Sequence, residues 1–330
     1  MTDAPILSVR DVQVSFPVGS LMNRSAILRV AGVSFEVRRG ETFALVGESG
    51  SGKTTLAQAI NGLQEISAGQ IAFEGGRVDT MSKRQMQPLR KRMSMMFQDP
   101  VGSLSPRMTV GDLVTEPYRI HGAEGRNLQD ETNRLLSLVG LPTNFATRYP
   151  HQLSGGQARR VGVARAIALD PALVIADEPT AGLDVSVQGE VLNLLNDLRE
   201  RLGLAMVIIT HNLHVVRHVA DRTAVMYLGR FVEIGETQAM FAAPKHPYTA
   251  ALLSANPEPD PEPDPDKAHE RITLPAEVPS LMSRPSGCEF HTRCPWAQQK
   301  CDKDAPPTAA VACHFPLGPG ARPPAKAVAP

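Results

Sequence analysis

The chain has 330 residues, enough for one large domain or two with a sizeable core, and its 34 basic and 34 acidic residues cancel. That balance excludes the generally basic surface by which proteins hold nucleic-acid phosphates, so no nucleic-acid partner is expected. No apolar run approaches the roughly twenty residues that span a bilayer, and Met1-Thr2-Asp3-Ala4-Pro5 lacks a secretory leader's basic and apolar regions, so the chain is expected to stay on the cytoplasmic side.

Residues Ile6 to Phe16 alternate imperfectly between apolar and polar, as an edge strand would. Val33-Ser34-Phe35-Glu36-Val37 alternates more cleanly before a turn at Arg39-Gly40, and 17–24 between them reads as a loop. Phe16 is a candidate to stack on an adenine ring or to pack in a core. The apolar run Phe43-Ala44-Leu45-Val46 then enters Gly47-Glu48-Ser49-Gly50-Ser51-Gly52-Lys53-Thr54-Thr55 and opens onto Leu56-Ala57-Gln58-Ala59-Ile60. This is strand, glycine-rich loop, helix. Glycines let several backbone N–H groups converge, and the helix N-terminus adds its positive dipole end, so a nucleotide phosphate fits there. Lys53 would reach the β- and γ-phosphates, and Thr54 would place its hydroxyl on Mg²⁺.

Gly69 to Gly75 reads as a short strand, 82–92 is polar and basic, and Met93-Ser94-Met95-Met96-Phe97 is apolar up to Gln98-Asp99-Pro100. From Thr109 to about Leu169 the periodicity is mostly helical, an insertion within the nucleotide domain. Leu173-Val174-Ile175-Ala176 ends in Asp177-Glu178-Pro179, the pattern of a central parallel strand with acids at its C-terminal edge. Val187, Val191, Leu194, Leu195, Leu198 and Leu202 follow at helical spacing with Gly203 as C-cap, and Ala205-Met206-Val207-Ile208-Ile209 is a second buried strand ending at Thr210-His211. Strands alternating with helices predict an α/β sheet whose site lies at the strand ends.

Pro257 to Asp266 carries only prolines and acids and reads as a stiff solvated linker. The tail beyond it has little periodicity and should be a small appendage without much core of its own. It holds all four cysteines, Cys288, Cys294, Cys301 and Cys313, separated by gaps of five, six and eleven residues. In a reducing compartment such a cluster favours metal ligation over disulfides. Compact zinc sites have pairs about two to four residues apart, whereas four thiolates suffice for a 4Fe–4S cluster and Pro295 directly follows Cys294. Zinc with His291 or His314 as a substitute ligand, and unligated thiols, stay open.

Leu153-Ser154-Gly155-Gly156-Gln157 heads the helical run through Val161 and Ile167, a second phosphate-binding helix N-terminus. With the phosphate loop, Gln98, Asp177-Glu178 and His211 in one order, the chain resembles the ATP-binding cassette family of nucleotide-binding domains over about residues 6–255. The resemblance implies an α/β phosphate-loop domain (1–255) with an N-terminal antiparallel β subdomain and a helical subdomain at about 99–169. A 256–270 linker and a cysteine-bearing 271–330 extension would follow. It implies an ATPase in which Gly47, Ser49, Gly50, Ser51, Gly52, Lys53, Thr54 and Thr55 hold Mg-ATP. Asp177 would hold the Mg²⁺ shell, Glu178 would polarise the attacking water, Gln98 would contact metal and water, and His211 would bond the γ-phosphate. Ser154, Gly155, Gly156 and Gln157 would cover ATP bound to another cassette, which Ala181-Gly182-Leu183-Asp184 would also touch. Each element occurs once, so the chain must pair with itself or with a second cassette protein.

Three further stretches are similar to the ATPase subunits of bacterial dipeptide and oligopeptide importers. They are Ser103-Leu104-Ser105-Pro106-Arg107-Met108-Thr109-Val110 after Gln98-Asp99-Pro100, Glu178-Pro179-Thr180 through Val187-Gln188, and His246-Pro247-Tyr248-Thr249. That resemblance implies two cassettes, two membrane permeases and an extracytoplasmic solute-binding protein, with the chain at the cytoplasmic face and 99–149 against the permeases. Nickel and other small-solute importers share much of this wording. Gly287 to Pro295 is similar to the tail of the same subunits, in which a 4Fe–4S cluster can occur. A soluble cassette ATPase acting on ribosomes or DNA is the rival class; such proteins generally carry two cassettes or a long coiled-coil insertion, and neither is found here.

Overall fold

The computed structural model describes residues 4–18, 25–97, 99, 102–255, 271–274 and 277–321; Gln98 and the acidic linker lie outside the described residues. The chain opens with β1 (Leu7–Val18) and β2 (Ser25–Val37), then β3 (Thr42–Val46), α1 (Lys53–Ile60), β4 (Ala68–Phe73), β5 (Gly76–Arg77), α2 (Lys83–Leu89) and β6 (Met93–Met96). The helical segment holds α3 (Val110–His121), α4 (Leu128–Leu138) and α5 (Gly155–Ile167). There follow β7 (Leu173–Asp177), α6 (Val185–Leu202), β8 (Ala205–Thr210), α7 (Leu213–Val219), β9 (Arg222–Tyr227), β10 (Arg230–Glu236), α8 (Thr237–Ala242) and α9 (Pro247–Ser254), with α10 (Gln299–Lys303) in the tail.

Two sheets form. The first is antiparallel in the order β2-β1-β4-β5, and the second runs β10-β9-β3-β8-β7-β6, parallel from β9 to β6 with β10 antiparallel at its edge. Every residue of β3, β7 and β8 is buried, as expected of strands covered on both faces. Alternate residues of β7 and β8 serve two cores. Leu173, Ile175, Val207 and Ile209 pack with α1 and the first sheet, whereas Val174, Ala176, Met206 and Ile208 pack with the helical segment and α6. The helical segment therefore has no separate core.

β1 departs from the expected edge position: it is paired on both sides, by β2 and β4. Its broken alternation has a local cause. Asp11 adopts φ +46°, and the pairing register shifts between Val9 and Val12. A Cβ on Gly69 would lie 2.3 Å from the Asp11 carbonyl oxygen, so the bulge needs glycine opposite it.

The tail, expected to have little core of its own, shares the cassette's core. Cys288, Phe290 and Cys301 pack with Val225, Tyr227 and Tyr248. The chain near Val311 runs antiparallel along β10, with Ile234 N–H donating to the Ala310 carbonyl and Ala312 N–H to the Val232 carbonyl. His246 anchors this junction, buried at 1 % exposure, with Nδ1 accepting from the Tyr248 N–H. Burial holds its pKa down to about 3 from the ordinary 6.5. The unfolded chain therefore takes up a proton near pH 6.5 that the folded chain refuses until about pH 3. The contribution of His246 is fully present well above pH 6.5 and is lost as pH falls below it, approaching about 1.4 kcal/mol per unit, or about 2 kcal/mol by pH 5. His246→Asn keeps an acceptor and does not titrate; denaturant unfolding at pH 6.5 and 5 is expected to show that part of the slope removed, and an unchanged slope would exclude His246 as its source.

Candidate functional site

The C-terminal ends of β3, β7 and β8 open onto a cavity of about 530 Å³ lined by 46–50, 52–55, Asp177, Glu178, Ala181 and His211. Arg29 from β2 and Leu252 from α9 complete the lining. The backbone of the loop admits only glycine at its sharpest points. A Cβ on Gly47 would lie 2.2 Å from the Met226 carbonyl oxygen, and one on Gly52, at φ +107°, would lie 2.5 Å from that of Arg29. Lys53 is buried and folds back over the loop, where Nζ donates to the carbonyls of Gly47 at 2.7 Å and Glu48 at 2.9 Å. Burial lowers its pKa, and the carboxylates of Glu178, Asp177 and Glu48 oppose that shift. Ser51 is buried beside it, with Oγ 3.4 Å from Lys53 Nζ, while Ser49, Gly50, Thr54 and Thr55 border the opening.

Asp177 is 2 % exposed, and its Oδ1 has no hydrogen-bond partner among the described residues. Burial pushes its pKa up; the Thr54 hydroxyl bonded to it pulls the other way, and the Glu178 charge adds to the rise. A buried carboxylate with an unused oxygen beside a threonine hydroxyl fits a divalent cation, which Asp177 and Thr54 would hold. Glu178 sits at φ +50°, turning the chain off the strand end. Its Oε2 accepts from Thr210 Oγ1 at 3.2 Å, and its Oε1 lies 2.7 Å from His211 Nδ1. The geometry thus brings Lys53, Thr54, Asp177, Glu178 and His211 together as the sequence implied.

Other candidates lie elsewhere. Ser154 caps α5 by accepting from the Gln157 N–H at 3.3 Å, while Gln157 Oε1 accepts from the Ser154 N–H at 3.0 Å. Ser154, Gly155, Gly156 and Gln157 do not line the cavity of their own chain. A Cβ on Gly156 would lie 2.8 Å from a Val187 methyl, so that glycine also permits close approach of α5 to α6. Asp184 caps α6 through the Val187 N–H at 3.0 Å, which holds its carboxyl below its usual range. Phe16 is half-buried against the core between the sheets and is absent from the lining.

Arg159 escaped the sequence reading. It is 4 % exposed in α5 and donates to the carbonyls of Glu178 at 3.1 Å and Ala181 at 2.6 Å, tying the serine-glycine helix to the loop after the acids. An arginine in a helix ordinarily reads as solvated, so no pattern marks it. Arg29 and Leu252 carried no signal either.

A second cavity of about 440 Å³ lies between the sheet and the helical segment, lined by 61 and 63, Ser103, and parts of 90–97, 116–121 and 162–169. Three large apolar side chains are exposed there, Leu63 at 50 %, Phe97 at 45 % and Ile120 at 62 %. In the tail, the four thiols lie within electrostatic reach of one another, and burial pushes Cys294 up to about 12 and raises Cys288 and Cys313. Among the described residues, however, no group of three or more His, Cys, Asp or Glu side chains is set to hold a metal ion. The expected four-cysteine cluster thus finds gathered thiols without a ligand geometry.

The sequence profile described as "ABC transporter" matches residues 30–181, and that described as "Oligopeptide/dipeptide transporter, C-terminal region" matches 232–301. A Brucella ovis protein named as a peptide import ATP-binding protein is 47 % identical over 308 residues, 93 % of this chain and 94 % of the relative. The oligopeptide transport ATP-binding protein AppF of Bacillus subtilis is 43 % identical over 321 residues, 94 % of this chain and 97 % of the relative. Among solved structures, the dimeric post-hydrolysis state of the ATP-binding cassette MJ0796 bound to ADP and Pi superimposes with a TM-score of 0.64 at 26 % identity, covering 70 % of this chain and 98 % of that one. The chain belongs to the ABC transporter family as an ATP-hydrolysing cassette subunit.

Proposed function

We propose that the chain drives import of di- and oligopeptides, hydrolysing Mg-ATP in a site completed by a second cassette. The observation that carries the peptide assignment is the match of 232–301 to the oligopeptide/dipeptide transporter C-terminal region, joined to similarity over nearly the whole length of relatives named for peptide transport. Importers of nickel or another small solute are the alternative within the same class.

Within the site, the loop amides of 47–55 cradle the β-phosphate, and Lys53 turns from the carbonyls of Gly47 and Glu48 to the β- and γ-phosphates. Thr54, Asp177 and Gln98 hold Mg²⁺, which neutralises phosphate charge when bound with ATP. Glu178 polarises the attacking water, held in line by Thr210 and His211, and His211 also reaches the γ-phosphate. The amides at Ser154, Gly155 and Gly156, with Gln157, cover the ATP of the partner cassette; their absence from this chain's own cavity supports that reading. Asp184 and the loop before it meet the partner's site. Phe16, packed against the core between the sheets and outside the cavity lining, is read as a core residue of β1 rather than as the adenine's stacking partner.

Two membrane permeases and an extracytoplasmic solute-binding protein complete the assembly, with this chain at the cytoplasmic face. The second cavity supports permease docking, since its exposed Leu63, Phe97 and Ile120 form an apolar patch rimmed by Arg90, Lys91 and His121. It extends the expected 99–149 face to include 61–63, 90–97 and 162–169. Ile120→Asp is expected to abolish co-purification of integral membrane partners while ATP binding by the isolated chain is kept. Undiminished recovery would place the docking face elsewhere, and recovery of ribosomes or DNA without permeases would overturn the transport reading.

For the tail, Cys288, Cys294, Cys301 and Cys313 are read as the ligands of a 4Fe–4S cluster that staples the extension, with zinc as the alternative; what supports this is the number and gathering of the thiols, since as placed they show no ligand geometry. Protein prepared without oxygen is expected to be brown, with broad absorption near about 400 nm and roughly four irons per chain. Colourless protein with zinc, or with no metal, would overturn the assignment.

A further inference from the structure

Glu48, the second residue of the phosphate loop, is gripped by three separate parts of the chain. Its N–H donates to the Tyr248 hydroxyl at 3.0 Å, its carbonyl accepts from Lys53 Nζ at 2.9 Å, and its carboxylate meets Arg293 of the tail in a two-pronged pair at 3.0 and 3.1 Å. The Arg293 side chain is 8 % exposed and that of Glu48 29 %. Arg293 is held from behind, its guanidinium 5.8 Å from the centre of the Tyr227 ring and its backbone N–H donating to the Phe290 carbonyl. Tyr227, Tyr248 and Phe290 pack on one another with centroids 4.9 to 5.4 Å apart, so the guanidinium sits in a rigid aromatic socket.

Two consequences follow for a triphosphate in the loop. Glu48 lines the nucleotide cavity, so its carboxylate would repel phosphate oxygens unless a cation cancels it, and Arg293 is the cation paired with it. Lys53 also holds the carbonyl of the same residue, so the place of Glu48 sets where the Lys53 ammonium starts. The geometry points to Arg293 as a positioning residue for ATP binding, acting through Glu48: it neutralises the loop carboxylate and fixes the loop from the C-terminal tail. This rests on the reading of the loop as the ATP site.

The test is the ATP dependence of hydrolysis in the complete transporter, with variants carried on the full chain. Arg293→Met is expected to raise KM for ATP about tenfold, with kcat within about twofold and the effect shrinking at high salt, because ground-state charge balance is lost while the chemistry is not. Arg293→Lys keeps the charge without the two-pronged geometry and is expected to raise KM about two- to threefold. The double variant Glu48→Gln/Arg293→Met should recover most of the affinity, since the repelling carboxylate is gone. A pure staple predicts otherwise: lowered thermal stability with unchanged KM in Arg293→Met, or a double variant no better than the single one, would overturn the proposal. Should Arg293→Met not fold, an unchanged KM and salt response in Arg293→Lys would overturn it equally. In the same assay Lys53→Ala should lose ATP binding; retained binding there would instead overturn the reading of the loop.

Discussion

Glu178→Gln is expected to cut ATP turnover by about 10² to 10³-fold while ATP binds within a few-fold of wild type. The change keeps the size of the side chain and, through the amide oxygen, an acceptor for the Thr210 hydroxyl, whose oxygen lies 3.2 Å away. It removes the negative charge that faces the attacking water and the acceptor beside His211 Nδ1 at 2.7 Å. The phosphate cradle of 47–55 is untouched, so binding and turnover should separate. Single-turnover hydrolysis and equilibrium binding of an ATP analogue, measured on one preparation, check this; turnover within about threefold of wild type would take Glu178 out of the chemistry.

The second large effect concerns Lys53→Ala, for which ATP affinity is expected to fall at least about 100-fold. Hydrogen bonds to charged groups each contribute about 1.5 to 3 kcal/mol, and Lys53 would make two, one to each of the β- and γ-phosphates. The same ammonium braces the loop through the carbonyls of Gly47 and Glu48, so the variant loses a loop brace as well. Titration with a fluorescent ATP analogue reads the loss, and affinity within about threefold of wild type would contradict the assignment.

The parts of this fold that were legible in the sequence are those where one physical constraint acts locally. β3, β7 and β8 are buried on both faces and so appear as unbroken apolar runs, and the acids at the end of β7 stand out against that background. The phosphate loop is readable because close backbone approaches leave room only for hydrogen at Gly47 and Gly52. The cap of α6 was legible too: Gly203 has φ +63°, as a helix C-terminus requires.

What was hidden depends on residues far apart in sequence. β1 looked like an edge strand because the bulge at Asp11 breaks its alternation, and its second neighbour, β4, arrives only after the phosphate loop and α1. The tail looked coreless because its apolar residues are few, yet Phe290, Cys288 and Cys301 borrow Tyr227 and Tyr248 from the cassette. Arg293 and Glu48 are 245 positions apart, and neither flanking sequence signals the other. The second cavity draws on five separate parts of the chain, of which Ser103 and 116–121 fall within the face expected at 99–149. Asp184 shows a different limit: its carboxylate caps α6 within the chain, and the contact proposed for it with a partner cassette would be written only in the arrangement of two chains.

The central claim is that ATP hydrolysis by this chain powers peptide import. It is tested most directly in liposomes carrying the full transporter with its binding protein, by following accumulation of labelled di- and oligopeptides with ATP on the cassette side. The account predicts ATP-dependent accumulation with the wild-type chain and none above background with Glu178→Gln, although that variant still binds ATP. Equal accumulation with both chains, or uptake of another small solute with no peptide uptake, would contradict it.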